Sequence, residues 1–297
     1  MNMFDARMSR NLARPSCPAA SMVLNPIGPI GAVALAMSLA LSAPVRAAGP
    51  TLEQAVHNPQ RSEKFVARDA ARHPLEELAF FGVTPDSTVV EIWPGGGYWT
   101  EILAPFLHDR GVYYVALEGK GATEEANAEA DKLNAAFGQK IAGDKATYGK
   151  VIPTVLGAGE SDIAPAGSAD VVLTFRNLHN WLKQGYAPEA LAAFYRALKP
   201  GGVLGIEDHR GQRDVAQDPK AADGYVRQDY AIALAKAAGF EFVGSSEIDA
   251  NPKDTANWPK GVWTLPPTFR LGDQDRAKYA AIGEADNFVL KFRKPTQ

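Results

Sequence analysis

Residues 91–103 read EIWPGGGYWTEIL. Glu91 ends a β-branched apolar run, three glycines follow at 95–97, and apolar residues at helical spacing begin directly after them. Strand, glycine turn and helix in that order place a turn at the carboxyl end of a strand. There, glycines let a ligand approach the backbone without Cβ interference, and free helix N–H groups can meet polar atoms. A plain tight turn would use the same residues. The flanking sequence decides between them.

Working outward, STVVEIW (87–93), GVYYVALE (111–118), KVIPTVLG (150–157), ADVVLTF (169–175), GVLGIED (202–208), FEFVGSSEI (240–248) and NFVLKFR (287–293) read as strands. Helices are expected over 98–107, 123–138 with Thr123 as cap, 188–200 and 225–239. Near-continuous apolar strands alternating with helices predict an α/β fold with a mostly parallel sheet covered on both faces. No clear crossover helix separates the last two strands, so the last one is expected to run antiparallel. The loop over 251–276 has little periodicity, and a loop of that length is expected to cover something.

Upstream, residues 51–82 have helical spacing, with Pro74 expected to break or restart the helix. Arg68, Asp69, Arg72 and His73 lie on adjacent helical faces and read as a solvated, salt-bridged surface. The functional alternative is a lid that closes over a bound cofactor. Further upstream, Arg7, Arg10 and Arg14 precede an uncharged apolar run over 27–43, followed by the small residues Val45 and Ala47. This is the pattern of a secretory signal, with cleavage expected near Ala47 and Met22 as an alternative start. Three segments are therefore expected: a signal peptide (1–47), a helical extension (48–82) and a catalytic-type domain (83–297). The mature protein should be periplasmic, with no stable membrane anchor. Cys17, the only cysteine, would be removed with the signal. That excludes disulfides, thiolate metal sites and cysteine nucleophiles. Removal of the leader also takes away four basic residues and one acidic residue, shifting the net charge from −3 to −6. No basic run remains, so a nucleic-acid partner is not expected.

Glu118 ends the second strand, where an acid can accept hydrogen bonds from ribose hydroxyls. With EIWPGGG, Glu118, SADVVLTFRNLHNW and ALKPGGVLGIED in that order, the chain resembles class I S-adenosylmethionine-dependent methyltransferases over roughly residues 74–292. The segments ARDAARHP, EIWPGGGYWTEILAP and AIGEADNFVLKF are similar to a small group of exported bacterial proteins of methyltransferase type. The resemblance implies a Rossmann-like, doubly wound, seven-stranded sheet with an antiparallel last strand. It also implies S-adenosylmethionine as cofactor and a small-molecule acceptor. By position in that pattern, Glu91, Gly95, Gly96 and Gly97 form the cofactor loop, Glu118 the ribose contact, Glu160 (or Asp162) the adenine contact, and Asn177 the position facing the methyl donor. Trp93 departs from the pattern by replacing its first glycine, and its side chain either narrows the slot or points into the core.

His179 is the first candidate for a base, with Asp208 and His209 as further candidates to activate an acceptor. Trp181 reads as packing beneath a loop. His179, Asp208 and His209 are the residues that could gather a metal, but no close-spaced pair such as H-x-x-x-H supports one, and none is expected. No nucleophile elbow is present, and WPGGGYWT does not match the dinucleotide spacing G-x-G-x-x-G. The rival to an enzyme is an exported binding protein that reuses the fold for a nucleoside-like or other small ligand.

Overall fold

The computed structural model describes residues 49–121 and 123–296. The expected signal peptide lies outside them. The described residues belong to one compact unit. Seven strands make a single sheet: β1 (Thr88–Ile92), β2 (Val112–Glu118), β3 (Val151–Leu156), β4 (Ala169–Phe175), β5 (Leu198–His209), β6 (Glu241–Ser246) and β7 (Asn287–Arg293). Their order is β3-β2-β1-β4-β5-β7-β6. Strands β3 to β5 pair in parallel, whereas β7 is antiparallel to both β5 and β6. This is the doubly wound sheet with an antiparallel last strand that the sequence predicts. The order reverses between β1 and β4, the switch point where such sheets bind ligands.

The central strands are buried on both faces, as their continuous valine and isoleucine content requires. Pro153 sits in β3, an edge strand where a missing N–H costs little. One core packs Val90, Ile92, Leu204 and Ile206 beneath Trp181, Leu191 and Phe194. The other packs Val89, Val115 and Leu173 against Ile102, Leu103 and Phe106. Ala55, Phe65, Leu78 and Phe81 from the N-terminal extension belong to this second core, so the extension shares the domain's interior.

Several boundaries differ from expectation. The stretch 51–82 is four short helices, α1 (Leu52–Val56), α2 (Glu63–Val66), α3 (Asp69–Arg72) and α4 (Pro74–Phe81). His73, at φ 36, separates the last two, and Pro74 opens α4. Helices α5 (Thr100–Leu107), α6 (Glu124–Gly143, capped by Thr123), α9 (Ala187–Ala197) and α10 (Gln228–Ala237) match predicted segments. Three short helices have no counterpart in the prediction: α7 (Lys145–Tyr148), α8 (Leu178–Gln184) and α11 (Arg276–Ile282). Strand β5 begins at Leu198, which pairs with Ala169, and the register shifts across the KPGG turn before Val203 meets Val171.

The segment expected to be a covering loop does cover the sheet edge. Val262, Leu265, Tyr279 and Ala285 build a small core with Tyr225, flanked by Trp258, Trp263 and Phe269. Asp254 ties it together, accepting from Tyr225 Oη at 3.0 Å, Trp258 Nε1 at 2.6 Å and the Asp286 amide at 2.9 Å. Among the described residues, no helix is long and apolar enough to cross a membrane.

Candidate functional site

All the predicted site residues lie at the carboxyl edge of the sheet. Gly95 and Gly97 take φ +54 and +84, a region L side chains rarely adopt, so the turn after β1 requires glycine there. Trp93 and Arg176, just beyond β1 and β4, are also left-handed, at φ 51 and 60. Non-glycine residues held in that region cost energy and gather at functional sites.

A cavity of about 220 Å³ opens between these two strand ends. Its lining includes Glu91, Gly95, Gly96, Arg68, Arg72, Arg176 and Asn177, with Phe65, Tyr98, Trp99 and Phe175 as apolar walls. Glu91 Oε2 accepts from Thr100 Oγ1 at 2.7 Å and from the Tyr113 hydroxyl, while Oε1 is buried without a partner. Burial pushes its carboxyl up to about 7, against the pull of those two hydrogen bonds. Arg72 Nε and an Arg176 Nη likewise lack hydrogen bonds, with carboxylate oxygens only at 3.5–3.7 Å. Burial, then the nearby Arg176 and Arg68, push the Arg72 guanidinium down to about 9. An anion placed there would relieve this. Asn177 Nδ2 donates to the Ile92 carbonyl at 3.0 Å, fixing the side chain across the switch point.

Arg68, Asp69, Arg72 and His73 do not form the solvated face expected from the sequence. Arg72 is buried over the Tyr98 ring at 4.4 Å. Arg68 makes a bidentate pair with Glu284, and Asp69 pairs with Arg61. His73 Nδ1 meets Asp249 at 2.9 Å. The sequence missed this because helical spacing shows which residues share a face but not what will pack against it. Helix α2 packs on the glycine turn, where a Cβ on Gly96 would come within 3.3 Å of the Phe65 ring.

Behind the arginines, Glu77, Glu207 and Asp249 are buried within 4.8 Å of one another, and five of their oxygens have no donor. Burial holds the Glu77 and Glu207 carboxyls above the usual range, as does the charge of their carboxylate neighbours. Arg176 supplies the compensating charge.

Trp93 points into the core and also bounds the slot. Its Nε1 donates to the Leu156 carbonyl at 3.0 Å, and its ring meets Trp181 edge-on at 5.8 Å. Trp181 is fully buried, as its packing role predicts. Beyond the Trp93 indole lies a second cavity of about 610 Å³, lined by Trp93, Glu118, Asn180, Lys183, Gln184 and Arg270, among others. The Glu118 carboxylate has no hydrogen-bond partner among the described residues, and burial, then Glu129, raise its pKa. Glu160 and Glu118 share a third cavity of about 260 Å³, where Glu160 Oε2 approaches the Lys120 amide at 3.4 Å. Asp162 is fully exposed and lies 3.5 Å from Arg196.

The structure brings His179, Asp208 and His209 together. Pairing of β4 with β5 places the start of α8, which follows β4, beside Asp208 and His209, the last two residues of β5. Asp208 accepts from the His179 amide (2.9 Å), His179 Nδ1 (2.8 Å) and the His209 amide (2.7 Å). Burial would raise the Asp208 carboxyl, but the two histidines hold it below the usual range. Burial pushes His209 down to about 3, so it is neutral at any working pH. Trp263 from the covering segment sits edge-on to His179 at 6.1 Å. Neither cavity beside Trp93 is lined by these three residues.

No family model and no curated protein matches the chain. Among solved structures, it is similar to a SAM-dependent methyltransferase from Aquifex aeolicus (18% identity, 76% of this chain, 92% of that one, TM-score 0.46). It is also similar to the cyclase SpnF (17%, 80% and 84%, 0.48). A third likeness is to the 1,6-didemethyltoxoflavin-N1-methyltransferase of Burkholderia thailandensis, solved with bound 1,6-didemethyltoxoflavin and S-adenosylhomocysteine (16%, 78% and 81%, 0.43). These identities are too low to carry residue roles across, so roles are assigned from this chain's own geometry.

Proposed function

We propose that the mature chain is an S-adenosylmethionine-dependent methyltransferase acting on a small molecule in the periplasm. The observation that carries this reading is the charge pattern of the cavity at the glycine turn. An unpartnered carboxylate oxygen on Glu91 faces the same space as unpartnered nitrogens of Arg72 and Arg176. That pattern complements an α-amino-acid head group, ammonium to Glu91 and carboxylate to the arginines. Glu118 stands at the end of the adjacent strand with a free carboxylate, suited to two ribose hydroxyls, and Glu160 lies beside it near the adenine position. The residues present therefore fit the cofactor at both ends. When bound, the cofactor supplies an electrophilic methyl group on sulfur. The chain contributes placement through the glycine turn and Asn177. His179, oriented by Asp208, is suited to take the acceptor's proton at Nε2.

The test is calorimetric titration of the mature chain, from Ala48, with S-adenosylmethionine and with S-adenosylhomocysteine. Micromolar binding is expected, weakened about tenfold or more in Glu118→Ala, since hydrogen bonds to a charged group are worth about 1.5–3 kcal/mol. Absence of heat from both ligands on folded protein would overturn the reading. Trp93 supports a second reading, an exported binding protein, because its indole stands between the two cavities. If the indole only obstructs, Trp93→Gly binds the cofactor more tightly than wild type. A marked loss of affinity would show that the ring forms part of the site.

A further inference from the structure

The larger cavity beside Trp93, about 610 Å³, has two walls of opposite charge. Glu118 at the end of β2, with Glu125 and Glu129 on α6, forms one wall. Asn180, Lys183 and Gln184 on α8 form the other, with Arg270 of the covering segment. Because β1 lies between β2 and β4, Trp93 stands between the two walls. A cavity of this size can take a whole small-molecule ligand, whereas ribose hydroxyls at Glu118 would occupy one side of it. Lys183 and Arg270 are restrained but not neutralised. Both lie against the Trp263 ring, Lys183 Nζ 6.0 Å and Arg270 Cζ 4.7 Å from its centroid. The Arg270 amide donates to the Trp263 carbonyl at 2.8 Å and ties those residues together. Among the described residues, neither cationic side chain has an ion pair or a hydrogen bond. On the same wall Gln184 Oε1 is buried without a donor.

Lys183 follows His179 by four residues on α8, so both project from one face of that helix. Trp263 spans them, edge-on to His179 at 6.1 Å. We propose that this wall receives an anionic methyl acceptor, its carboxylate or phosphate held by Lys183 and Arg270 and its reacting end directed along α8 towards His179. The role of acceptor rests on the methyltransferase reading, whereas the anion site stands without it. A guanidinium binds either anion through two parallel hydrogen bonds, and the ammonium adds a point charge. Stacking on Trp263 restrains both long side chains before the ligand arrives, which lowers the ordering cost of binding. The acids on the opposite wall repel an anion, which confines it to the α8 side and fixes its orientation. Gln184 Oε1 is placed to accept from an O–H or N–H group of the same ligand. The sequence does not announce the site, because Lys183 and Arg270 meet only where the covering segment packs on α8.

Inorganic phosphate and acetate are the probes, read by NMR at the Trp263 indole N–H of the ¹⁵N-labelled mature chain at constant pH and ionic strength. The signal is assigned by its loss in Trp263→Phe. Either anion or both should move it saturably at millimolar concentration, and neutral acetamide should not. The tighter anion identifies the group that the acceptor carries. The Lys183→Gln/Arg270→Gln double variant should weaken binding about tenfold or more, and Lys183→Arg should retain it. Both side chains are exposed, so these replacements leave the core intact. Saturating S-adenosylhomocysteine should leave phosphate binding in place, because acceptor and cofactor bind together. Displacement of the anion would give the two cations to the cofactor and overturn the acceptor role. Anion binding by a chain that does not bind S-adenosylhomocysteine would sustain the anion site and overturn the methyltransferase reading instead. No saturable shift from either anion, an equal shift from acetamide, or undiminished affinity in the double variant would overturn the proposal.

Discussion

Arg176→Met should lower the unfolding free energy by about 3–5 kcal/mol at pH 7.5, the usual cost of leaving buried charge without its partner. The side chain is only 13% exposed, and its guanidinium faces Glu207 at 3.5 Å and Glu284 at 3.7 Å. Burial works against its charge, but Glu207, Glu284, Glu77 and Asp249 together raise its pKa. With Arg176 gone, those four carboxyls share only Arg68, Arg72 and His73. The deficit should also depend on pH. Glu207 already stands at about 7 with Arg176 beside it, so as the pH falls below about 7 the orphaned carboxyls take up protons, and the gap between variant and wild type should narrow. Urea denaturation at pH 5 and pH 7.5 reads both effects. A loss under about 1 kcal/mol at pH 7.5 would show that the network does not depend on this arginine, as for weak surface pairs. A deficit independent of pH would point to lost packing instead.

The dependence on Arg176 marks where sequence reading stops. The mostly parallel, doubly covered sheet was legible because β1, β4 and β5 carry unbroken apolar runs that only such a sheet can bury. The glycine turn was legible because Gly95 and Gly97 occupy left-handed positions. Glu91, Glu118 and Asn177 followed from their places at strand ends. His179 and Asp208 could be named as separate candidates. Their contact depends on β4 and β5 being neighbours, which strand periodicity does not specify. Arg72 was misread because a charged residue at helical spacing has the same pattern whether water or Tyr98 covers it. Arg176 was passed over although it directly precedes Asn177. The feature that identifies it is a φ of 60 beside buried carboxyls, and neither is visible in a sequence. The Trp263 segment was recognisable only as a long loop, because its small core joins Tyr225 to residues more than thirty positions away.

Glu91→Gln should make the protein's stability depend less on pH, and the sign follows from the direction of the Glu91 shift. Burial raises its folded-state pKa from 4.5 to about 7. Folding therefore favours the protonated carboxyl. The associated stability is fully present below about pH 4.5 and is lost as the pH rises through about 7. The shift corresponds to about 3 kcal/mol in all. Glutamine keeps an oxygen for Thr100 and Tyr113 but cannot ionise. The difference in unfolding free energy, variant minus wild type, should therefore increase by about 3 kcal/mol from pH 4.5 to 7.5. Taking the difference removes the opposing contributions of Asp208, Glu101 and Glu284, whose pKa values are lowered. Parallel stability curves would mean that water reaches Glu91 freely. The same group links pH to the proposed ligand. An ammonium held against Glu91 Oε1 requires the carboxylate, so binding should release a proton and tighten as the pH rises towards 7. That tightening should be absent in Glu91→Gln. Calorimetry in two buffers of different ionisation enthalpy would detect the released proton. If wild type and variant release the same amount, Glu91 does not meet the ligand, and the charge pattern of the cavity would need another explanation.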